Sequence, residues 1–182
     1  MFILYALVVG LIVGLVVGGR PSALADLRIR WPHAILGGLL IQVVLFSDPV
    51  TERIGDLGVP IYVASTALVL VAIAVNRAIR GMPIVALGAA SNFLAIVANG
   101  GYMPASPAAL EALGKTAKTV YSNSTVVADP WLGPLTDIFA LPSWLPGTNI
   151  YSIGDVLIGL GVAVVVVSAM RGSRRNPVVG AS

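Results

Sequence analysis

Cysteine is absent from the chain, and histidine occurs once, at His33. Disulfides, thiolate metal sites, iron–sulfur clusters, cysteine nucleophiles and thioether-linked haem are thereby excluded. One histidine cannot build a bis-histidine haem site or a multi-histidine zinc site within a chain, so neither a metal nor another cofactor is expected. Charge is scarce as well. Asp, Glu, Lys and Arg make up 10% of the 182 residues, where a water-soluble domain carries about a quarter. The net charge of +3 and the pI near 9.6 would suit nucleic acid only if the basic residues clustered on a solvated face. They lie instead between apolar stretches, and no nucleic-acid partner is expected.

What the chain has in excess is apolar length. Hydrophobic residues are 57% of it, with a mean hydropathy of +0.94. Five apolar stretches run over 2–18, 31–46, 57–75, 81–98 and 153–170, near the length a helix needs to cross a hydrocarbon core of about 30 Å. The expected fold is an all-α membrane protein. It is a single bundle over 1–182 with five transmembrane helices, a long and partly helical outer loop over 98–152 between the fourth and fifth, and a cytoplasmic tail over 171–182.

The arginines assign the sides. Arg20, Arg28 and Arg30 follow the first stretch, Arg77 and Arg80 the third, and Arg171, Arg174 and Arg175 the fifth, so eight of eleven basic residues share one side. The other side keeps Arg53, Lys115 and Lys118 against six acidic residues from Asp48 to Asp137. The positive-inside rule then places the N-terminus outside and the C-terminus in the cytoplasm of a bacterial inner membrane. Ala23-Leu24-Ala25 resembles a signal-peptidase site. No basic residue precedes the apolar run, and Arg28 and Arg30 follow closely, so an uncleaved first helix is favoured.

Glycine and proline punctuate the same elements. Arg80-Gly81-Met82-Pro83 ends one helix and opens the next, a stop and a start in sequence terms. Gly10, Gly14 and Gly18 recur every four residues, so a helix would carry them on one face for close packing. Gly37, Gly38, Gly88, Gly159 and Gly161 suggest tight packing elsewhere. The long loop carries Tyr102, Tyr121, Trp131, Trp144 and Tyr151 and prolines from Pro104 to Pro146, a composition suited to the membrane–water interface. Within it, Ser106-Pro107 ahead of 108–113 and Gly114 reads as a short capped helix. A second helical turn is expected over 134–139.

Two phrases frame that loop: Asn99-Gly100-Gly101-Tyr102-Met103-Pro104 and Ser152-Ile153-Gly154-Asp155. With Leu132, Asp137, Pro142 and Pro146 between them, they resemble an uncharacterised family of bacterial integral-membrane proteins, a domain of unknown function. The resemblance extends over the five-span layout and is specific from Asn92 to Gly161. It implies the architecture and no activity.

The candidate polar site lies on the outer face: Asn92, Asn99, Asp137, Ser152 and Asp155. Ser152 and Asp155 have capping-box spacing, and an acid there meets the positive end of the helix dipole. Asn92 and Asn99 are seven residues apart on one helical face, and Asn99, Asp137 and Asp155 are expected to meet at the helix ends. Ser91, Gln42 and Ser65 are further polar groups inside spans, for which interhelical hydrogen bonding is the ordinary role. His33, beside Trp31 and Pro32, reads as an interfacial anchor, and 48–56 as a solvated turn. No catalytic residues stand out.

Three functions follow from these features. The first is a non-catalytic accessory or structural subunit packed in lipid against other transmembrane proteins. The second is a small carrier or channel working as an oligomer, with Asp155, Asn92 and Asn99 in its binding site, although no inverted repeat or broken pair of spans is present. The third is an interfacial enzyme using Asp137 and Asp155 as a carboxylate pair.

Overall fold

A computed structural model describes residues 2–114, 124–127, 129–142 and 144–172. Expectations that concern Lys115, Lys118, Tyr121, Arg174 and Arg175 lie outside these residues. The described chain is mostly helical: α1 (Phe2–Val16), α2 (Pro32–Leu45), α3 (Asp48–Thr51), α4 (Gly58–Val75), α5 (Met82–Ala98), α6 (Pro107–Glu111) and α7 (Ile153–Gly172). Two helical stretches, Gly55–Val75 and Ile153–Gly172, are long and apolar enough to cross a membrane; α1, α2 and α5 are apolar but shorter.

Local chemistry explains where the helices stop. Gly18 takes φ +76°, a left-handed conformation that glycine adopts without a Cβ penalty, and α1 ends before it. Trp31 takes φ +56° ahead of Pro32, whose fixed φ and missing N–H suit the first position of α2. In the loop, Ser106 and Pro107 start α6 as expected, although the Ser106 side chain makes no capping hydrogen bond. The expected turn over 134–139 is a 3-10 turn at Gly133–Leu135 that gives way to a strand.

That strand departs from an all-α reading. β1 (Met103–Pro104) pairs in parallel with β2 (Ser124–Thr125), and β3 (Phe139–Ala140) pairs antiparallel with β4 (Ile150–Tyr151). A loop folded onto a helical body must still satisfy its backbone amides and carbonyls. Two-residue ladders do that here, with an isolated bridge between Ala105 and Asp137.

The apolar helices form an open series of neighbours, in the order α1, α7, α5, α4, α2. All five run between the same two ends of the molecule. At one end Arg20 N–H donates to the Met170 carbonyl at 2.9 Å, Leu27 packs with Ile73, Met82, Val85 and Val165, and Arg30 is bonded to Asn76. The connector after α1 is thus a strap across the ends of α7, α5 and α4. At the opposite end the long loop is seated, with Met103 packed among Leu45, Tyr62, Ala95 and Ile96. Phe2 stacks on Tyr151 at 4.7 Å between ring centroids, Phe139 stacks on the same ring at 5.4 Å, and the Tyr5 hydroxyl donates to the Pro146 carbonyl.

Glycine makes the closest approaches in this series. A Cβ on Gly88 would lie 2.4 Å from the Gly154 carbonyl oxygen, and one on Gly81 2.5 Å from that of Gly161, so α5 and α7 meet backbone to backbone. Gly10 faces the Ala163 backbone and Gly14 the Met170 side chain across α1 and α7. Gly18 is not part of that face: it has left the helix and is exposed, and Gly19 makes the third approach, against Met170. Because the obstacle at Gly88 is backbone, Gly88→Ala is expected to destabilise the fold by about 1–3 kcal/mol. Gly37→Ala, with nothing within 4 Å of its added Cβ, is expected to be neutral or to stabilise by up to about 1 kcal/mol. Denaturation midpoints in detergent check the pair, and equal midpoints for the two variants would contradict this packing.

Candidate functional site

Helix α7 opens on a reciprocal cap. The Asp155 amide donates to Ser152 Oγ at 3.1 Å, and the Ser152 amide donates to Asp155 Oδ2 at 3.1 Å. Each side chain satisfies a backbone donor that the first helical turn leaves unpaired. Gly154 lies between them with no side chain, and this admits Asn92 from α5: a Cβ on Gly154 would lie 1.9 Å from Asn92 Oδ1. Asn92 Nδ2 donates to Asp155 Oδ1 at 2.9 Å, and Ser152 Oγ donates to Asn92 Oδ1 at 2.7 Å. Four hydrogen bonds therefore close a ring through Asn92, Ser152 and Asp155, with Ser152 fully buried and Asp155 half-buried.

The arrangement holds charge without a cation. Both Asp155 oxygens accept from neutral donors, and the carboxylate sits in the first turn of α7, where the helix dipole favours an anion. The Ser152 hydroxyl proton points to an amide oxygen rather than to a base, so the trio lacks the nucleophile–base contact of covalent catalysis. Its evident chemistry is to fix the start of α7 against the middle of α5.

Asn99 stands apart from this ring. Its Nδ2 donates to the Ala95 carbonyl at 2.7 Å and the Trp131 carbonyl at 2.8 Å, while its Oδ1 accepts from the Trp131 amide at 2.9 Å. Asp137, 7% exposed, is held through its backbone, its amide donating to the Pro104 carbonyl and its carbonyl accepting from the Ser106 amide. Among the described residues no hydrogen bond is seen that links Asn99, Asp137 and Asp155 to one another. The side chains of the capping box bond to Asn92 of the neighbouring helix rather than to Asn99 or Asp137, because Gly154 leaves the space on the helix side.

Asn76 repeats the Asn99 arrangement at the other end of the molecule, and the sequence reading missed it. It terminates α4 as Asn99 terminates α5. Its Nδ2 donates to the Ala72 and Arg30 carbonyls at 2.7 and 2.8 Å, and its Oδ1 accepts from the Arg30 amide at 2.7 Å. In both cases the clasped residue precedes a non-glycine residue in the left-handed region, Trp31 or Leu132. An asparagine at the last turn of an apolar run was the available signal. The other polar groups are local: Gln42 Nε2 donates to Thr66 Oγ1 between α2 and α4, Ser65 Oγ donates to the Tyr62 carbonyl, and Ser91 Oγ is buried with no partner. His33 is exposed on the first turn of α2, and part of the expected turn over 48–56 is the helix α3. Among the described residues no group of three or more histidine or carboxylate side chains could hold a metal ion.

This geometry lies within a stretch that a family model covers. The model described as "Family of unknown function (DUF5317)" matches residues 26–167, and the chain belongs to that family. The match includes Asn76, Asn92, Asn99, Asp137, Ser152 and Asp155. No curated protein and no solved structure matches the chain.

The ring predicts graded losses. Asp155→Ala removes acceptors for both Asn92 and the Ser152 amide and is expected to cost about 2 kcal/mol; Asp155→Asn, which keeps one acceptor oxygen, about half of that. Asn92→Ala combined with Asp155→Ala should be non-additive by at least ~0.5 kcal/mol. A double-mutant cycle of unfolding free energies measures this, and strict additivity would show that the two residues act independently. Asn76→Ala breaks three hydrogen bonds at a site 3% exposed. It should lower stability by about 2–3 kcal/mol, more than Asn99→Ala at its half-exposed site.

Proposed function

We propose that this chain is a five-span protein of a bacterial inner membrane, with its N-terminus outside and its C-terminus in the cytoplasm. We propose further that it serves as a non-catalytic accessory or structural subunit packed against other transmembrane proteins. The observation that carries this reading is the open series of helices. Its two end members each have one principal neighbour, and their outer faces are apolar: Val16 is 80% exposed, Val43 69% and Leu36 65%. Apolar surface on this scale is favourable against lipid or another apolar helix and unfavourable in water. α1 and α2, at about 22 and 21 Å from their residue counts, fall short of an average hydrocarbon core. Local thinning of the bilayer or association with other helices accommodates such a length.

Orientation rests on the arginine end. Arg20, Arg28, Arg30, Arg77, Arg80 and Arg171 all belong to the strap, the α4–α5 turn or the last turn of α7, and the aromatic loop is seated at the opposite end. A polar ring whose donors all bond its own members favours a structural role over transport or catalysis.

Two measurements test the proposal. A fluorescent reporter fused at the C-terminus should be active in the cytoplasm, and a periplasm-dependent enzyme reporter at the same position should be inactive; the reverse result overturns the orientation. Purification in mild detergent should recover a different membrane protein in stoichiometric amount through size exclusion. A self-assembled ring would favour the carrier or channel, and a solitary monomer would overturn the accessory role.

A further inference from the structure

At the arginine end, a cleft of about 650 Å³ opens between the strap, the α4–α5 turn and the last two turns of α7. Its wall is apolar, formed by side chains that include Leu27, Ile79 and Val165, and its polar groups include Ser168 and the two exposed cations Arg80 and Arg171. Among the described residues neither guanidinium has a hydrogen-bond or ion-pair partner. Two uncompensated cations at the mouth of an apolar cleft are complementary to one kind of molecule: an anion joined to a hydrocarbon chain. We propose that this cleft binds an anionic phospholipid of the inner leaflet, with the headgroup phosphate between Arg80 and Arg171 and part of an acyl chain along Leu27, Ile79 and Val165.

The inference rests on the membrane reading above, which places this end of the molecule at the cytoplasmic headgroups. Two features make the site local. Guanidinium groups bind phosphate through paired N–H donors, and Ser168 adds a hydroxyl from the turn of α7 below Arg171. Basic pockets between helices on the cytoplasmic side are the geometry in which anionic headgroups are recognised. Arg28 and Arg30 lie on the same strap but do not line this cleft, so they separate a local site from a general attraction of positive charge to the membrane surface.

The test uses the full chain in nanodiscs of phosphatidylcholine containing a minor fraction of phosphatidylglycerol. Lipid retained after detergent exchange is counted by native mass spectrometry. About one phosphatidylglycerol per protein is expected on the wild type. Arg80→Gln with Arg171→Gln should weaken retention about 30-fold, at roughly fivefold per guanidinium. Arg80→Lys with Arg171→Lys, which keeps the charge but not the paired donors, should retain an intermediate amount, above the glutamine pair and below the wild type, and shows that loss in the first variant is not unfolding. Arg28→Gln with Arg30→Gln should change retention less than threefold. Equal loss in that pair overturns the local site, as does displacement of the lipid by millimolar inorganic phosphate, which would mark a site for a soluble anion. Insertion without any retained phosphatidylglycerol overturns this inference alone; recovery of the chain from the aqueous fraction overturns the membrane reading and this inference together.

Discussion

The contact between α5 and α7 organises the molecule, because it is the place where two helices touch through backbone rather than through side chains. Gly88 faces Gly154, and Gly81 faces Gly161. Without that approach Asn92 would stand too far from the first turn of α7 to bond both Ser152 and Asp155. With it, a cap that satisfies one helix also becomes the joint between two. α1 packs on the far side of α7, and α4 on the far side of α5. The positions of both therefore depend on the same joint. Small residues and a few polar groups make this joint, with the glycines admitting the backbone contact and Asn92 supplying the hydrogen bonds.

The ends of the molecule are tied by a second device. Asn76 and Asn99 each spend a side-chain amide on the carbonyl four residues earlier and on both polar groups of one residue in a connector. The residue that follows the clasp is Trp31 in one case and Leu132 in the other, both with positive φ. A left-handed conformation costs a non-glycine residue about 1–2 kcal/mol, so it persists only where neighbouring bonds determine the backbone. The clasps supply those bonds, and they turn each connector back over the helix ends.

Much of the helical layout was legible in the sequence because apolar length and punctuation act locally. The five stretches, the Ser106–Pro107 start of α6 and the Ser152–Asp155 cap all follow from residues within a few positions of one another. Gly18 was misread because spacing alone does not show where a helix has ended; its φ of +76° hands the packing role to Gly19. The partner of Asn92 was hidden for a different reason. Asn92 and Asn99 share a face by periodicity, but which helix passes that face is a matter of tertiary order, and the open series set by the glycines is not periodic in the chain. Asn76 was overlooked because its partner, Arg30, is 46 residues earlier and had been read for its charge alone. The strand pairs of the loop were illegible for lack of any alternating pattern in two-residue segments.

The order of helices also has a consequence in time. Among the described helices α1 comes earliest in the chain, yet its principal neighbour is α7, which emerges about 140 residues later. At translation rates of about 5–20 residues per second, that interval is roughly 7–28 s. During it α2, α4 and α5 can pair with one another, while Gly10 and Gly14 have nothing to pack against and the amide of Asn92 has no carboxylate to meet. Emergence of α7 therefore delivers α1 its partner and locks α5 in the same event, so that a chain truncated before α7 loses the place of α1 and the joint on α5 at once.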